Sequence, residues 1–211
     1  DVYKRQGVVG PVRTGKSTFI KRFMELLVLP AMEDENLRNL SRDELPQSAA
    51  GKTIMTTEPK FIPKEAASIN LADGIEAKVR VIDCVGFMVD GAAGHVENGE
   101  ERLVKTPWFD YDIPFTQAAE IGTRKVINDH STIGIVVTTD GTIGEIKRPG
   151  YIAAEKQTID ELKKLGKPFV VLLNSTKPYS DETARLAREM SESYGAVSYT
   201  HLRAHETSAH L

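Results

Sequence analysis

The feature that most constrains the fold is an eight-residue stretch near the start of the chain, Gly10–Ser17, with the pattern G-x-x-x-x-G-K-S. This is the phosphate-binding P-loop pattern. Its two glycines allow a tight backbone turn whose N–H groups point inward at an anion. The apolar pair Val8 and Val9 precedes the stretch, and apolar residues at helical spacing follow it. The sequence therefore predicts a strand, a phosphate-binding loop and a helix in succession.

The composition limits the class of protein. The chain has 211 residues, of which 40% are hydrophobic, and can bury the core of one sizeable α/β domain. Its net charge of −3 provides no overall basic surface, which argues against nucleic acid as a partner. No apolar run has the length of a membrane span, and no signal peptide is visible. The single cysteine, Cys84, excludes an internal disulfide, fits a reducing cytosol and is expected to pack as a small buried hydrophobe.

Both ends of the chain differ in composition from the rest. Residues 1–6 place Lys, Arg and Gln where a buried first strand is expected, and residues 198–211 hold three of the five histidines. Both stretches resemble translated sequencing-adapter sequence. We therefore predict non-native ends and a P-loop domain over residues 7–197 whose last strand is truncated. The alternative for the tail is a metal site formed by His201, His205 and His210. No matching acidic or thiol ligand lies nearby in the sequence.

The order of predicted elements indicates a mainly parallel sheet. Strands are predicted over residues 7–9, 132–139 and 169–173, and helices over 16–29, 116–129, 151–165 and 181–194. Pro30 ends the first helix, and Gly166 caps the third. Residues 31–60 and 86–115 are predicted to be long loops. Because strands alternate with helices, we expect an α/β fold with helices on both faces of the sheet.

One pair of strands departs from the parallel arrangement. Residues 68–72 and 75–83 alternate between apolar and polar positions on either side of an Asp73-Gly74 turn. This pattern is typical of an antiparallel hairpin. The sheet is therefore predicted to contain one antiparallel strand, and the second strand of the hairpin ends at Asp83.

The P-loop and the end of this hairpin provide groups for a magnesium–triphosphate complex. Lys16 would set its ammonium beside the β- and γ-phosphates, and the Ser17 hydroxyl would ligate Mg²⁺. Asp83 and Gly86 form a D-x-x-G pattern at the strand end. The carboxylate would hold Mg²⁺ through water, and the Gly86 N–H would meet the γ-phosphate. The alternative is an ordinary strand-end aspartate followed by a turn glycine.

A threonine pair in the first long loop is a further candidate. Thr56 and Thr57 precede Glu58-Pro59. A threonine there can place its hydroxyl on Mg²⁺ and its N–H on the γ-phosphate, so that the loop orders with triphosphate and relaxes after hydrolysis. Loops contain many threonines, so an ordinary polar loop is the alternative.

The stretch Asn174–Lys177 follows a buried strand at the position where guanine-binding GTPases carry N-K-x-D. In those proteins the aspartate accepts hydrogen bonds from the guanine base. Here Lys177 stands at the aspartate position and Ser175 at the lysine position. An ammonium cannot accept those bonds, so the sequence argues against guanine as the base.

The residue that orients the attacking water is not identified. Phe87 follows the D-x-x-G pattern, where many GTPases have a glutamine. Arg13, a threonine of the 56–57 pair or a neighbouring subunit could assist. Turnover is expected to be slow without help.

Longer runs of sequence support a family assignment. Besides the P-loop, they are residues 45–59, 106–108, 120–126 and 138–144. With these runs, residues 7–197 resemble the family of the N-terminal ATPase domain of stage IV sporulation protein A. That family belongs to the translation-factor, GTPase-like class of P-loop NTPases.

The resemblance implies a Mg²⁺-dependent ATPase and a set of site residues. Lys16, Thr56, Thr57 and Asp83 would be catalytic, with Asp83 as the Walker B carboxylate and the two threonines as sensors. The Mg²⁺ ligands would be Ser17, Thr57 and, through water, Asp83. The ATP contacts would be Gly10, Arg13, Thr14, Gly15, Lys16, Ser17, Thr18, Gly86 and Asn174.

The resemblance also implies a role in spore formation. ATP hydrolysis would drive self-assembly of the basement layer of the spore coat on the forespore's outer membrane surface, in the mother-cell cytoplasm. The implied partners are further copies of the protein, a small membrane-anchored coat peptide and other coat morphogenetic proteins, reached through domains outside this chain. Two alternatives stay open: a GTPase switch, such as a ribosome-assembly factor, and a structural protein that binds nucleotide without useful turnover.

Overall fold

The computed structural model describes residues 3–46, 58–70, 76–92, 94–97 and 99–202. Within these ranges the helices are α1 Lys16–Phe23, α2 Glu35–Asp43, α3 Phe115–Lys125, α4 Arg148–Lys164 and α5 Asp181–Tyr194. The strands are β1 Tyr3–Val9, β2 Lys60–Asn70, β3 Glu76–Asp83, β4 Val96–Glu97, β5 Glu100–Glu101, β6 Leu103–Thr106, β7 Phe109–Pro114, β8 Ile133–Thr139, β9 Phe169–Asn174 and β10 Ser198–Leu202.

The central sheet has six strands in the order β10-β9-β8-β1-β3-β2. The pairs β1–β3, β1–β8, β8–β9 and β9–β10 are parallel. The edge strand β2 runs antiparallel to β3, with Lys60 opposite Asp83. This arrangement confirms the predicted α/β fold with a mainly parallel sheet and one antiparallel strand. The Asp73-Gly74 turn of the hairpin lies outside the described residues.

Both faces of the sheet are covered, because neighbouring residues of β1 point to opposite sides. Val8 packs into one core with the buried face of α1, and Val9 packs into a second core with residues of α4 and α5. Both valines are essentially inaccessible to solvent. Helices therefore lie on both faces, as the sequence predicted. The carboxyl ends of the parallel strands meet at one edge, where ligands of such sheets bind.

The first predicted helix is confirmed, with a change of helical type. After α1 the chain continues as a π-helical turn, Met24–Val28, and then as a short 3₁₀ turn that contains Pro30. The third predicted helix begins three residues earlier than expected, at Arg148. Pro149 lies in its first turn, where a missing N–H leaves no helical hydrogen bond unmade.

The prediction of a loop over residues 31–60 was wrong for residues 35–43, which form α2, and residues 47–57 of this stretch lie outside the described residues. The Asp34 carboxylate caps this helix by accepting hydrogen bonds from the backbone N–H groups of Asn36, at 2.9 Å, and Leu37, at 3.0 Å. Leu37 and Leu40 remain exposed. Leu37 and Leu40 are three residues apart, as on one face of a helix, and the Asp34 cap precedes them, so the helix had two local signals that the sequence reasoning missed.

The prediction of a loop over residues 86–115 was also wrong for residues 96–114, which contain the four short strands β4 to β7. Strands β6 and β7 form a hairpin in which Val104 lies opposite Ile113. Ile113 is buried, and the ring of Trp108 lies 5.7 Å from the Lys125 ammonium in α3. The hairpin is thus held by packing against α3, and long-range packing of this kind is not encoded in local turn residues.

The two ends of the chain both take part in the sheet. Strand β1 begins at Tyr3 rather than at the predicted Gly7, because its backbone pairs with β3 from Tyr3 onward. Residues 198–202 pair with β9 as β10. Whether residues 1–6 and 198–211 are native, and where the domain ends, stay predictions. The side chains of the alternative histidine metal site lie outside the described part of the chain.

In the described ranges, no helix combines the length and the apolar character needed to cross a bilayer.

Candidate functional site

The P-loop adopts a conformation that depends on glycine at two positions. Gly10 has a φ of 134°, and a Cβ there would lie 2.3 Å from the Val137 carbonyl oxygen in β8. Gly15 has a φ of 91°, and a Cβ there would lie 2.5 Å from Asn174 Nδ2. Both φ values fall in the region that glycine adopts without a side-chain penalty. The loop therefore folds tightly between β1 and α1, and α1 begins at the next residue, Lys16.

Lys16 is buried and folded back onto its own loop. Its side chain is 5% exposed, and its ammonium donates a 2.6 Å hydrogen bond to the Pro11 carbonyl oxygen. Burial lowers the pKa of Lys16, while the neighbouring Cys84 and Asp83 oppose that shift. A buried cation of this kind gains strongly from an anion placed beside it, because charge interactions are stronger away from water. Lys16 thus fits the phosphate-binding role.

Asp83 and Ser17 meet at the carboxyl end of β3. The Ser17 hydroxyl donates a 2.7 Å hydrogen bond to Asp83 Oδ2, whereas Asp83 Oδ1 is buried without a hydrogen-bond partner among the described residues. Burial raises the pKa of Asp83, and the Ser17 hydrogen bond and the Lys16 charge act in the opposite direction. Mg²⁺ prefers hard oxygen ligands. The Ser17 hydroxyl and the Asp83 carboxylate are such ligands, and Asp83 Oδ1 is without a hydrogen bond among the described residues. The residues therefore fit a magnesium ion.

The D-x-x-G turn packs directly against the P-loop. Gly86 has a φ of 99°, and a Cβ there would lie 2.2 Å from the Gly10 carbonyl oxygen and 2.7 Å from Lys16 Nζ. The Gly86 N–H donates to the Thr123 hydroxyl at 3.1 Å. The Phe87 carbonyl accepts a 2.9 Å hydrogen bond from the Val12 N–H. The turn is thus fixed to the loop on one side and to α3 on the other.

Replacing Gly86 by alanine is expected to destabilise the protein by about 2 kcal/mol or more, because the new Cβ meets backbone atoms that cannot move away. Urea denaturation measures the change. Gly91→Ala is the matched control, since Gly91 has a φ of 82° but nothing within 4 Å of a Cβ. The Gly91→Ala variant is expected to lose only about 1 kcal/mol of the free energy of unfolding, from backbone strain. Equal losses in the two variants would contradict the close packing of the turn on the P-loop.

Phe87, which stands where many GTPases have a glutamine, is 2% exposed and belongs to the core. Because the Phe87 side chain packs in the core, it does not take the place of the glutamine that faces the phosphates in many GTPases. Cys84 is buried as expected, with its thiol 3.5 Å from the Val8 carbonyl oxygen. Burial raises the pKa of Cys84 to about 11, so it stays a neutral thiol at physiological pH.

Asn174 connects the end of β9 to the P-loop. Its Nδ2 donates a 3.1 Å hydrogen bond to the Thr14 carbonyl oxygen. Ser175, at the lysine position of N-K-x-D, is fully buried, and its hydroxyl accepts from the Lys177 N–H at 2.9 Å. Ser175 thus shapes the loop rather than facing a ligand, and the Lys177 side chain is exposed.

The remaining predicted contacts are placed as follows. Arg13 is exposed at a φ of 58°. Thr14 is buried, and its hydroxyl donates to the Pro11 carbonyl at 3.0 Å, so it stabilises the turn of the loop. Thr18 is half-buried in the first turn of α1. Thr56 and Thr57 lie outside the described residues, and their role stays a prediction.

The sequence reasoning missed Thr123 of α3. Its hydroxyl accepts from the Gly86 N–H and donates to the Ala119 carbonyl oxygen at 2.8 Å. A buried threonine in the middle of an apolar helix face was the available signal. The structure thus brings together Lys16, Ser17, Asp83 and Gly86, which lie far apart in the sequence, and joins Asn174 to the same loop.

Comparisons with known proteins agree with this geometry. The profile of the family described as "Stage IV sporulation protein A, ATPase domain" matches residues 1–208. The chain is 57% identical over 194 residues to stage IV sporulation protein A of Bacillus subtilis (strain 168), which covers 92% of this chain and 39% of that protein. It is 56% identical over 188 residues to the protein of the same name from Clostridioides difficile (strain 630), which covers 89% of this chain and 38% of that protein. The chain thus spans about two fifths of the length of these relatives.

Solved structures support the fold alone. Era in complex with MgGDPNP and a segment of 16S ribosomal RNA superposes with a TM-score of 0.52 at 12% identity, over 93% of this chain and 50% of that one. Aquifex aeolicus Era bound to GDP and aluminium fluoride gives a TM-score of 0.51 at 14% identity, with the same coverage. The extent of the profile match and the identity to the relatives place the chain in a defined family, and the solved structures agree with its fold. The chain belongs to the family of the stage IV sporulation protein A ATPase domain, whose fold is that of the P-loop NTPases.

Proposed function

We propose that this protein is a Mg²⁺-dependent ATPase. The observation that carries the proposal is the contact between Ser17 and Asp83 beside the buried ammonium of Lys16. A hydroxyl, an unsatisfied carboxylate oxygen and a lysine at the start of a helix are the groups that bind and polarise a magnesium–triphosphate complex. The description of the family as an ATPase domain supports hydrolysis.

Each group at the site would have a separate task. The backbone N–H groups of Gly10–Ser17 would hold the phosphate chain, and Lys16 would neutralise charge that builds up on the β- and γ-phosphates. The Ser17 hydroxyl and the Asp83 carboxylate would hold Mg²⁺, Asp83 through water. When bound, the metal would supply positive charge that stabilises the negative charge of the phosphates. The Gly86 N–H would exchange its bond with Thr123 for one to the γ-phosphate.

Lys177 supports adenine as the base. A guanine site at the end of β9 needs a carboxylate that accepts from the base, and an exposed ammonium stands at that position. A site that leaves such hydrogen bonds unmade loses a large part of its discrimination. We therefore propose ATP as the substrate and expect GTP to bind more weakly than ATP.

The relatives carry this domain within a longer protein. Such a protein would use the cycle of ATP binding and hydrolysis to assemble with further copies of itself. We infer that ATP hydrolysis drives self-association into the basement layer of the spore coat, at the forespore's outer membrane surface in the mother-cell cytoplasm. The names of the relatives, which are sporulation proteins, support this inference. The small membrane-anchored coat peptide and other coat proteins would bind segments outside this chain.

Phosphate release from ATP and GTP, with Mg²⁺ or with a chelator, tests the proposal. We expect Mg²⁺-dependent release that is faster with ATP than with GTP. Faster release with GTP would favour a GTPase switch. Binding of ATP without any release would favour a structural protein that uses nucleotide only to assemble, in keeping with the buried Phe87 side chain.

Joint replacement of Thr56 and Thr57 by alanine tests the sensor role. We expect ATP affinity to change by less than about threefold, whereas phosphate release slows by about tenfold or more, because the sensor contacts strengthen only as charge moves in the transition state. Single-turnover release measures the effect. Thr116→Ala in α3, whose hydroxyl contacts Glu101 rather than the P-loop, is the control. Release at the normal rate from the double variant would exclude the sensor role.

A further inference from the structure

A buried ion pair lies outside the proposed phosphate site. Glu155 of α4 is fully buried, and its Oε1 accepts from Arg148 Nη2 at 2.7 Å and from the Tyr194 hydroxyl at 2.6 Å. Its other oxygen accepts from Arg148 and from the Thr138 hydroxyl of β8. Glu155 interrupts an otherwise apolar stripe of α4 that comprises Tyr151, Ile159 and Leu162. A buried ion pair is weak evidence for a role in stability, because replacing such a pair by apolar residues often leaves the stability unchanged or raises it.

Arg148 connects this pair to the turn that follows β8. Its guanidinium donates to the Thr139 carbonyl oxygen at 3.2 Å. Gly141 has a φ of 84°, and a Cβ there would lie 2.4 Å from the Arg148 backbone nitrogen. The Gly141 N–H donates to the Thr139 hydroxyl at 3.0 Å. The residues 139–142, hereafter the 139–142 turn, therefore rest directly on the start of α4.

The 139–142 turn is in turn bonded to residues 174–177, hereafter the 174–177 loop. The Asp140 N–H donates to the Asn174 carbonyl oxygen at 3.3 Å. The Thr142 hydroxyl accepts from the Thr176 N–H at 2.9 Å and donates to the Asp140 carboxylate at 2.6 Å. Asn174 then reaches the P-loop at the Thr14 carbonyl. Hydrogen bonds thus run from Glu155 to the side of the P-loop where the base would lie.

We propose that Glu155 and Arg148 are positioning residues that hold the 139–142 turn and, through it, the 174–177 loop in the shape that receives the base. The proposal rests on the proposed nucleotide-binding function. Neither residue contacts Lys16, Ser17 or Asp83 in the hydrogen bonds and ion pairs given above. The path reaches the P-loop at one point, the Thr14 carbonyl, through Asn174, so the larger effect is expected on the base and the smaller one on the phosphates.

The variant Glu155→Gln separates these two effects. We expect its affinity for a slowly hydrolysed ATP analogue to fall about two- to thirtyfold, the range of couplings carried by such networks. Its affinity for inorganic triphosphate, which has no base, is expected to change by less than about twofold. Calorimetric titration measures both. Equal losses for the two ligands, or no loss for either, would overturn the proposal.

Glu161→Gln is the matched control. Glu161 lies on the same helix and forms a 2.6 Å ion pair with Arg124, but it does not reach the 139–142 turn through the bonds described. Its variant is expected to bind both ligands as the unmodified protein does. A selective loss of ATP affinity in Glu161→Gln as large as in Glu155→Gln would show that any charge lost from α4 has this effect, and would overturn the assignment.

Hydrogen exchange without nucleotide tests the positioning independently of the proposed function. In Glu155→Gln we expect faster exchange at the amides of Asp140 and Thr176, and unchanged exchange at the amide of Ile82 in β3. Acceleration at all three would indicate general destabilisation and overturn the proposal. If the unmodified protein fails to bind ATP, the proposed function fails, and this exchange pattern alone decides the positioning role.

Should Glu155→Gln fail to fold, Tyr194→Phe replaces it, because it removes one hydrogen bond to Glu155 and leaves the ion pair in place. We expect the same selective acceleration at Asp140 and Thr176, by about twofold to tenfold, the effect of losing one hydrogen bond. Unchanged exchange at both amides would overturn the proposal.

Discussion

Replacement of Lys16 by alanine is expected to reduce the affinity for a magnesium–triphosphate complex by about a hundredfold or more. The reason is that removal of one partner from a buried charge pair leaves the phosphate charge uncompensated. Calorimetric titration with a slowly hydrolysed ATP analogue measures the loss. The folded state should not suffer, because burial already lowers the pKa of Lys16 and so disfavours the ammonium in the absence of an anion.

Lys21→Ala is the control for this experiment. Lys21 lies one turn further along α1 and forms a partly exposed pair with Glu25 at 3.9 Å. A pair of this kind contributes little, so its variant is expected to bind triphosphate normally. Unchanged affinity in Lys16→Ala would contradict the assignment of the P-loop as the phosphate site.

The second large effect is expected at Asp83. Asp83→Asn keeps the shape of the side chain but removes the charge, so triphosphate affinity should lose its dependence on Mg²⁺. In the unmodified protein we expect binding in Mg²⁺ to be about tenfold or more tighter than binding with a chelator, and in the variant the two affinities should agree within about twofold. Titrations under both conditions measure the difference. A Mg²⁺ dependence equal to that of the unmodified protein would exclude Asp83 from the metal site.

The direction of the pKa shift at Asp83 gives this variant a second readout. Burial raises the pKa of Asp83 above that of an exposed aspartate, so the folded state binds the proton more tightly than the unfolded state. Stability is then lost as the pH rises through the window between the two pKa values, and at neutral pH the ionised carboxylate is a cost. Asp83→Asn should therefore melt at the same temperature as the unmodified protein or higher when nucleotide is absent. Asp129→Asn, at an exposed position in the π-helical turn that follows α3, is the control.

The parts of the fold that were predicted correctly have local signals. The P-loop depends on two glycines and a lysine at fixed spacing, and β3 lies in the alternating stretch predicted as the second hairpin strand. The first hairpin strand was predicted too short, because β2 already begins at Lys60. The nearness of Asp83 to the P-loop followed from a general rule, since the ends of parallel strands meet at one edge of the sheet, whereas the roles of Asp83 and Ser17 toward Mg²⁺ stay predictions. Two short patterns, the P-loop and D-x-x-G, were therefore enough to place these residues near one another, although they lie far apart in the sequence.

The parts that were missed depend on contacts made at long range. Helix α2 is the exception, because its Asp34 cap and the spacing of Leu37 and Leu40 are local signals that the sequence reasoning passed over. The β6–β7 hairpin is stabilised against α3, which follows it in the chain. Glu155 was passed over because a charged residue on an apolar helix face has meaning only once Arg148 and Tyr194 are seen to surround it.

The measurement that tests the central claim most directly is a calorimetric titration of the whole chain with slowly hydrolysed ATP and GTP analogues in the presence of Mg²⁺. The account predicts one site per chain, tighter binding of the ATP analogue, and loss of binding in Lys16→Ala. Tighter binding of the GTP analogue would contradict the argument from Lys177. Absence of binding by either analogue would contradict the nucleotide site itself.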